Sequence, residues 1–293
     1  MVTIFALAAA MLYGSADFLG GAATRHARVL SVLPLSAGAG AVIVLTAALV
    51  SGQTAHAAAL AWGVAGGVVG GAGLIVFYAG LAAGPMSVVA PVSALMSTVL
   101  PVGVALADGE QASAAVYVGA FLCLAAIVLV SSAGPRTTAT HGGPGLQNRL
   151  AASGFHLRAV GYGMVAGTTF GLFFLFLRNA GHSGTLWPVA AARLAGLVVV
   201  LLAAALTRAK PVLTNASTGL LLATAGSGVL DASANIFYVF ATKAGLFGLA
   251  VVLTSLYPGI TVLLARLTLG ERLRMVQRAG LLLAGIGVVL VTV

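Results

Sequence analysis

Long apolar runs alternate with short polar segments along the whole chain. Each run has about the 20 residues that a helix needs to cross the ~30 Å hydrocarbon core of a bilayer. Ten such helices are predicted, at 2–22, 29–50, 58–80, 86–106, 113–132, 157–178, 185–206, 218–241, 246–267 and 275–293. Strands of a membrane β-barrel would alternate apolar and polar positions, whereas these runs are continuously apolar. The pattern therefore predicts an all-α polytopic membrane protein with ten transmembrane helices.

One polar segment is much longer than the others. The sequence SSAGPRTTATHGGPGLQNRLAASG, at 131–154, is rich in Gly, Pro, Ser and Thr and has no apolar period. Such a composition is typical of a flexible linker. We therefore predict an N-terminal five-helix repeat over 1–132, a linker over 133–156 and a C-terminal five-helix repeat over 157–293.

The two halves are related by a shift of 161 positions. That shift aligns Gly109-Glu110 with Gly270-Glu271, and each pair follows the fourth predicted helix of its half. Because each half has an odd number of helices, the second half must enter the membrane in the opposite direction. The prediction is a pair of inverted five-helix repeats, an architecture that places a substrate site near the midplane, between the repeats.

Composition supports a lipid environment. Hydrophobic residues make up 60% of the chain and charged residues 6%, too few charges to cover a soluble surface. The net charge of +9 is spread singly or in pairs between the apolar runs, as is typical of residues that flank membrane helices. The predicted partner is therefore the lipid bilayer, and a nucleic-acid partner is not expected.

The eighth predicted helix carries a polar stripe. Ser227, Asp231, Asn235 and Tyr238 recur at i, i+4, i+8 and i+11, so they share one helical face. A charged side chain costs about 2.5–3.5 kcal/mol at the centre of a membrane helix, so this face should not contact lipid. It contacts either a wet substrate cavity, which we favour, or another helix through hydrogen bonds.

Other polar and aromatic positions extend the predicted cavity. Asp17 and Arg193 are ionisable groups inside apolar runs. We expect Tyr13 and Asp17 to face the stripe or Arg193. The alternatives are structural roles: Asp17 would pair with Arg25 or Arg28 near the membrane–water interface, and Arg193 would be a structural partner of a carboxylate. The further candidates for the cavity are Tyr78, Ser93, Thr254, Tyr257 and Trp187, and the predicted helix bends are at Pro91, Pro101 and Pro258.

Enzyme chemistry finds little support in the sequence. Asp17 and Asp231 raise the alternative of an intramembrane aspartyl protease, but their contexts, GSAD and GVLD, match neither motif of that class. No nucleophile motif or metal-binding helix is present in the sequence, and Cys123 is the single cysteine. We therefore expect a transporter without cofactor or metal, whose partner is a small-molecule substrate.

Three segments carry a family resemblance, namely YGSADF (13–18), PVSALMSTVLPVGVALADGEQ (91–111) and LTSLYPGITVLLARLTLGERL (253–273). With the five-plus-five pattern, they resemble the EamA-type exporters of the drug/metabolite transporter superfamily. The first half departs from the family pattern, since Ser97 stands where Pro258 does and no basic residue follows Glu110.

The resemblance implies a multi-pass secondary transporter of the bacterial cytoplasmic (inner) membrane, expected as a monomer. It would move small metabolites, amino acids or related amphipathic compounds, out of the cell by alternating access. The alternative substrate class is drugs and organic cations. The resemblance also implies that both termini face the cytoplasm, whereas the distribution of Lys and Arg among the loops predicts both termini outside. In chemical terms, Asp17 or Asp231 could bind an ammonium group and Arg193 a carboxylate.

Overall fold

The protein is a bundle of α-helices. The computed structural model describes residues 1–24, 27–83, 86–131, 146–181, 185–209, 216–269 and 275–292. Within these ranges it contains no strand. The helices are α1 (Val2–Thr24), α2 (Val29–Val50), α3 (Ala57–Ala83), α4 (Met86–Ala107), α5 (Ala114–Ser131), α6 (Leu146–Gly181), α7 (Leu186–Leu206), α8 (Thr218–Lys243), α9 (Phe247–Thr254), α10 (Tyr257–Leu269) and α11 (Met275–Thr292).

The helices have the length and surface of membrane spans. Within the described residues, six are apolar and long enough to cross a bilayer: α1, α2, α3, α6, α7 and α8. The other predicted spans contain shorter apolar stretches, Val92–Ala107, Ala114–Leu129, Phe247–Thr261 and Met275–Leu290. Large apolar side chains such as Leu202, Leu222 and Phe121 are exposed on the outside of the bundle, which suits lipid and not water. The predicted all-α polytopic membrane fold is confirmed.

Two segments differ from the predicted helix boundaries. Helix α6 begins at Leu146, so the last part of the predicted linker is helical, while residues 132–145 lie outside the described residues. The ninth predicted span is divided into α9 and α10 by a turn at Ser255 and Leu256. Pro258 follows in the first turn of α10, where its missing N–H leaves no intrahelical hydrogen bond unmade.

The three predicted helix bends do not behave alike. The chain is broken beside Pro258, but α4 runs as one helix through Pro91 and Pro101. The fourth span is therefore not divided as the ninth is, and the bends at Pro91 and Pro101 stay a prediction. A proline removes one hydrogen bond from a helix, and in membrane helices neighbouring helices and local adjustments can satisfy the freed carbonyl.

Most helix contacts join the two halves. Helix α3 packs on α6 and α7, and reciprocally α8 packs on α1 and α2, while α5 packs on α11. Exchanging each helix with its counterpart, α1 with α6, α2 with α7, α3 with α8 and α5 with α11, maps this set of contacts onto itself. That reciprocity is what two related five-helix units would give. The inverted orientation of the repeats stays a prediction.

The helices cross closely where glycines meet backbone. A Cβ built on Gly40 of α2 would lie 2.6 Å from the carbonyl oxygen of Gly228 on α8. A Cβ on Gly228 would collide with the backbone carbonyl of Ser36. Since both obstacles are backbone, no rotamer change relieves them, and only glycine permits this spacing of α2 and α8. The crossing holds α8, and with it the polar stripe, against the N-terminal half.

Candidate functional site: a charged cavity between the halves

A cavity of about 160 Å³ lies between the two halves, next to the middle of α8. Its lining comes from α1, α2, α3 and α4 of the N-terminal half and from α6, α7, α8 and α10 of the C-terminal half. Seven of the residues predicted from the sequence line it: Tyr13, Asp17, Tyr78, Arg193, Asp231, Asn235 and Tyr257. Both ionisable groups singled out inside apolar runs, Asp17 and Arg193, are thus brought to the same cavity as Asp231.

An ion pair and a chain of hydrogen bonds cross the cavity wall. The Arg193 guanidinium on α7 donates through NH1 to Asp231 Oδ2 and, at 3.0 Å, through NH2 to the Asp231 carbonyl. Asn235 Nδ2 donates to that same carbonyl at 2.7 Å. The Tyr13 hydroxyl on α1 donates to Asn235 Oδ1 at 2.7 Å. The network therefore connects α1, α8 and α7 and fixes the rotamers of both stripe residues.

Asp17 stands apart from this network. It follows Tyr13 by one helical turn on α1, so its side chain points to the same side of the helix, and it is exposed and lines the cavity. Asp17 accepts no hydrogen bond and forms no ion pair within the described part of the chain, which includes Arg28. The other partner considered from the sequence, Arg25, lies outside the described residues. Asp17 is thus a carboxyl group that faces the cavity and has no partner among the described residues.

The charges that line the cavity do not cancel. Asp17 and Asp231 are acids and Arg193 is the base. When all three are ionised, the Arg193–Asp231 pair is neutral and Asp17 contributes a net charge of −1. The Arg193 side chain is 16% exposed and that of Asp231 39%, so the pair is shielded from bulk water on the side of the arginine. Separating it would leave a partly buried charge without its partner, which is costly.

Aromatic side chains form much of the remaining wall. Phe77 lies 5.9 Å from Phe170 and 5.6 Å from Tyr78 between ring centroids. Phe173 and Phe174 pack at 5.5 Å, and Tyr257 lies 6.1 Å from Tyr13. Glycines of α3 and α7 face the same space (Gly67, Gly70, Gly71 and Gly196) and leave room for a ligand. The sequence did not single out Phe77, Phe170 and Phe174, because aromatic residues in apolar helices look the same whether they pack or line a cavity.

The C-terminal half of the chain carries a family signature. Residues 157–293 match the sequence model of the EamA-like transporter family. We call this half the EamA-like domain because of that match. The resemblance predicted from the sequence is confirmed, and the motif around Pro258 lies inside the matched region. The EamA-like domain supplies Arg193, Asp231 and Asn235 to the cavity, while the N-terminal half supplies Asp17.

The fold of the whole chain also occurs in solved structures. One crystal structure, described simply as that of a protein, superposes with a TM-score of 0.78 over 99% of this chain and 96% of its own. The two sequences are 18% identical, so the likeness shows a shared fold and carries no statement about substrate. Among curated proteins, no sequence matches the chain.

Five predicted cavity residues lie elsewhere. Two of them, Ser227 and Tyr238, are the ends of the polar stripe on α8 and form hydrogen bonds to other helices. Ser227 Oγ donates to the Ala16 carbonyl on α1 at 2.8 Å, and the Tyr238 hydroxyl donates to the Phe174 carbonyl on α6 at 3.2 Å. For these two residues the structure matches the alternative of helix-to-helix hydrogen bonds. Ser93 and Thr254 are buried, and their hydroxyls have no hydrogen-bond partner among the described residues. The fifth residue, Trp187, does not line the cavity.

One end of the bundle is held by hydrogen bonds between the halves. Trp187 Nε1 donates at 2.7 Å to the carbonyl of Gln53, whose side-chain Oε1 accepts from the amides at the start of α7. The Glu110 carboxylate accepts from Phe247 N and Gly248 N at 3.0 Å each, at the start of α9. We call this the capped end: Gln53 and Glu110 cap the first turns of α7 and α9 in the EamA-like domain.

The capped end also holds a more exposed ion pair. Arg178 NH1 lies 2.8 Å from Asp108 Oδ2, with side chains 23% and 52% exposed. The Arg178 guanidinium lies 4.1 Å above the centre of the Phe247 ring. Surface pairs of this kind contribute about 0–1 kcal/mol, so the caps rather than the pair carry the polar connection between the halves.

Proposed function

We propose that the protein is a secondary transporter that moves small amphipathic metabolites, amino acids or related compounds, out of a bacterial cell across its cytoplasmic membrane. The observation that carries this proposal is the cavity between the two halves, lined by charged and aromatic side chains from both. A ligand in such a cavity contacts both halves, so a rocking movement of one half against the other would change the side from which the ligand is reached.

The arrangement of the cavity and the capped end supports alternating access. Asp17 and Tyr78 line the cavity within about two turns of the ends of α1 and α3. Those helix ends lie opposite the capped end, because α1 begins beside Gly245, which lies just before α9, and α3 begins four residues after Gln53. The structure is thus connected between its halves at one end, with its cavity reaching toward the other.

A second candidate is an exporter of drugs or organic cations with the same fold. The specific observation that favours it is that the Asp17 carboxyl group lies in an aromatic cavity without a partner in the part of the chain that the structure describes. An intramembrane aspartyl protease is less suited to the geometry, because its two acids must share a proton, whereas Asp231 is held by the Arg193 guanidinium. The EamA-like domain likewise belongs to a family of transporters.

Counterflow in proteoliposomes tests the proposal. Vesicles that contain the purified full chain are loaded with unlabelled amino acid or amine, and uptake of the labelled compound is measured. We expect saturable exchange that exceeds that of protein-free vesicles. Asp231→Asn, which leaves Arg193 without its counter-ion, should lower the exchange rate at least about tenfold, since 1.4 kcal/mol corresponds to a factor of ten. Absence of exchange across a panel of amino acids, amines and organic cations would contradict transport.

A further inference from the structure

We infer that the cavity selects a ligand with one positive charge and no free carboxylate, and that Asp17 binds its ammonium group. The expected class is a small primary amine with one ring or a comparable apolar body. The inference rests on the proposed transport function and narrows its substrate class, because among small amphipathic metabolites it favours amines over amino acids. It separates two groups of compounds that otherwise share shape and polarity, zwitterionic amino acids and the corresponding amines.

The first argument is the charge left over in the cavity. The Arg193–Asp231 pair is internally neutral, and Asp17, when ionised, adds one negative charge without a partner in the described part of the chain. A cationic ligand would neutralise that charge, whereas a zwitterion would bring a carboxylate that has no counterpart. Electrostatic complementarity of this kind decides selectivity between ligands of equal size.

The second argument is that Arg193 is already paired with a carboxylate. NH1 donates to the Asp231 carboxylate and NH2 to the Asp231 carbonyl. Asn235 also donates to this carbonyl, and Tyr13 in turn donates to Asn235. A ligand carboxylate would have to share the Arg193 guanidinium with the Asp231 carboxylate, and the two negative charges would repel each other. An ammonium group at Asp17 meets no such repulsion.

The third argument is the chemistry of the walls. Phe77, Tyr78, Phe170 and Phe173 line the cavity with Asp17, and aromatic faces attract cations through their quadrupole. The volume of about 160 Å³ is comparable to that of an engineered cavity of about 150 Å³ that holds benzene. The cavity therefore fits one ring or a short aliphatic chain together with the ammonium group.

A series of three ligands that share one ring and differ in charge tests the inference on the unaltered protein. Phenethylamine, phenylalanine and 3-phenylpropionate carry charges of +1, zero net and −1 at neutral pH. Binding to the purified full chain in detergent is measured by calorimetry, and exchange is measured in proteoliposomes. We expect the Kd of phenethylamine to be at least about tenfold lower than that of phenylalanine. We expect 3-phenylpropionate not to bind. Equal or tighter binding of phenylalanine would overturn the inference.

Variants of Asp17 test the proposed contact. Asp17→Asn keeps the side-chain shape and removes the charge, so the affinity for phenethylamine should fall at least about tenfold. Asp17→Glu should retain most of it. The matched control is Asp108→Asn, which removes an exposed carboxylate outside the cavity and should leave the affinity within about threefold, as expected of a surface charge. Retained amine affinity in a folded Asp17→Asn protein would overturn the role of Asp17.

The outcomes distinguish this inference from the proposed function. Saturable exchange of phenylalanine without binding of phenethylamine would reject the amine class and leave transport intact. Amine binding that depends on Asp17, without exchange of any compound, would support the subsite and reject transport. If Asp17→Asn does not fold, the ligand series on the unaltered chain still decides between amine and amino acid.

Discussion

At the scale of single residues, the hydrogen bond between Tyr13 and Asn235 is the contact whose loss should lower the free energy of unfolding most clearly. Asn235 is fully buried, and its Oδ1 accepts from the Tyr13 hydroxyl at 2.7 Å across the interface of the halves. Tyr13→Phe removes that donor and strands the buried acceptor. We expect the free energy of unfolding to fall by about 1–3 kcal/mol, measured by denaturant unfolding in detergent micelles.

The same substitution at Tyr117 is the control. Its hydroxyl lies on the surface of α5, where its hydrogen bonds of 3.3 and 3.4 Å compete with water. Tyr117→Phe should therefore change the unfolding free energy by no more than about 0.5 kcal/mol. Similar losses of unfolding free energy in both variants would mean that the buried hydrogen bond between the halves contributes no more to stability than an exposed one.

For part of the polar stripe, the sequence predicted the position that the structure shows, while the role of these residues in binding stays a prediction. The helical period places Asp231 and Asn235 on one face, and both line the cavity. Ser227 and Tyr238 share that face but lie at other depths, where α8 meets α1 and α6 instead. A period specifies the direction of a side chain around its helix. It does not specify which neighbour stands opposite at each depth, because that depends on the packing of the whole bundle.

At the scale of helices, the crossing of α2 and α8 should depend on the lack of a side chain at Gly228. Gly228→Ala would press a methyl group on the backbone carbonyl of Ser36, so the two helices must move apart. Overpacking of this kind costs about 1–3 kcal/mol, and we expect a corresponding loss of thermal stability in detergent. The matched control lies two residues away on the same helix.

That control is Gly226→Ala. A Cβ there would meet the flexible side chain of Leu19 at 3.6 Å, an ordinary contact. Because alanine is the better helix former by about 1 kcal/mol, Gly226→Ala should be neutral or slightly stabilising. Equal destabilisation by both variants would show that glycine at this crossing serves flexibility rather than close approach.

Helix-scale prediction from the sequence was good for number and order and weaker for interruptions. Apolar length alone located the spans, because lipid forbids unpaired backbone and so enforces helices. The same rule did not distinguish Pro258, beside which the chain turns, from Pro101, through which α4 continues. The early start of α6 was also missed, because the segment at 146–156 is too polar for a span and its composition resembles a linker.

At the scale of the whole molecule, the caps on α7 and α9 connect the halves at one end of the bundle. Both caps come from the N-terminal half, through Gln53 and Glu110, and both satisfy amides of the EamA-like domain. In a transporter that alternates, these bonds must break when the capped end opens. The double variant Gln53→Ala/Glu110→Ala should therefore shift the population toward the state that is open at this end.

Two cysteine reporters in a Cys123→Ala background measure that shift in proteoliposomes. Ala37 lines the cavity, whereas Ala190 lies one turn inside the start of α7 and is 1% exposed. We expect the double variant to speed labelling of Ala190→Cys and slow labelling of Ala37→Cys, each about threefold or more, because a two-state shift populates one state at the expense of the other. Asp108→Asn should change neither rate. Unchanged rates would mean that the caps do not hold this end closed. Faster labelling at both positions would indicate general loosening of the bundle, because only an exchange between two defined states changes the labelling rates of the two reporters in opposite directions.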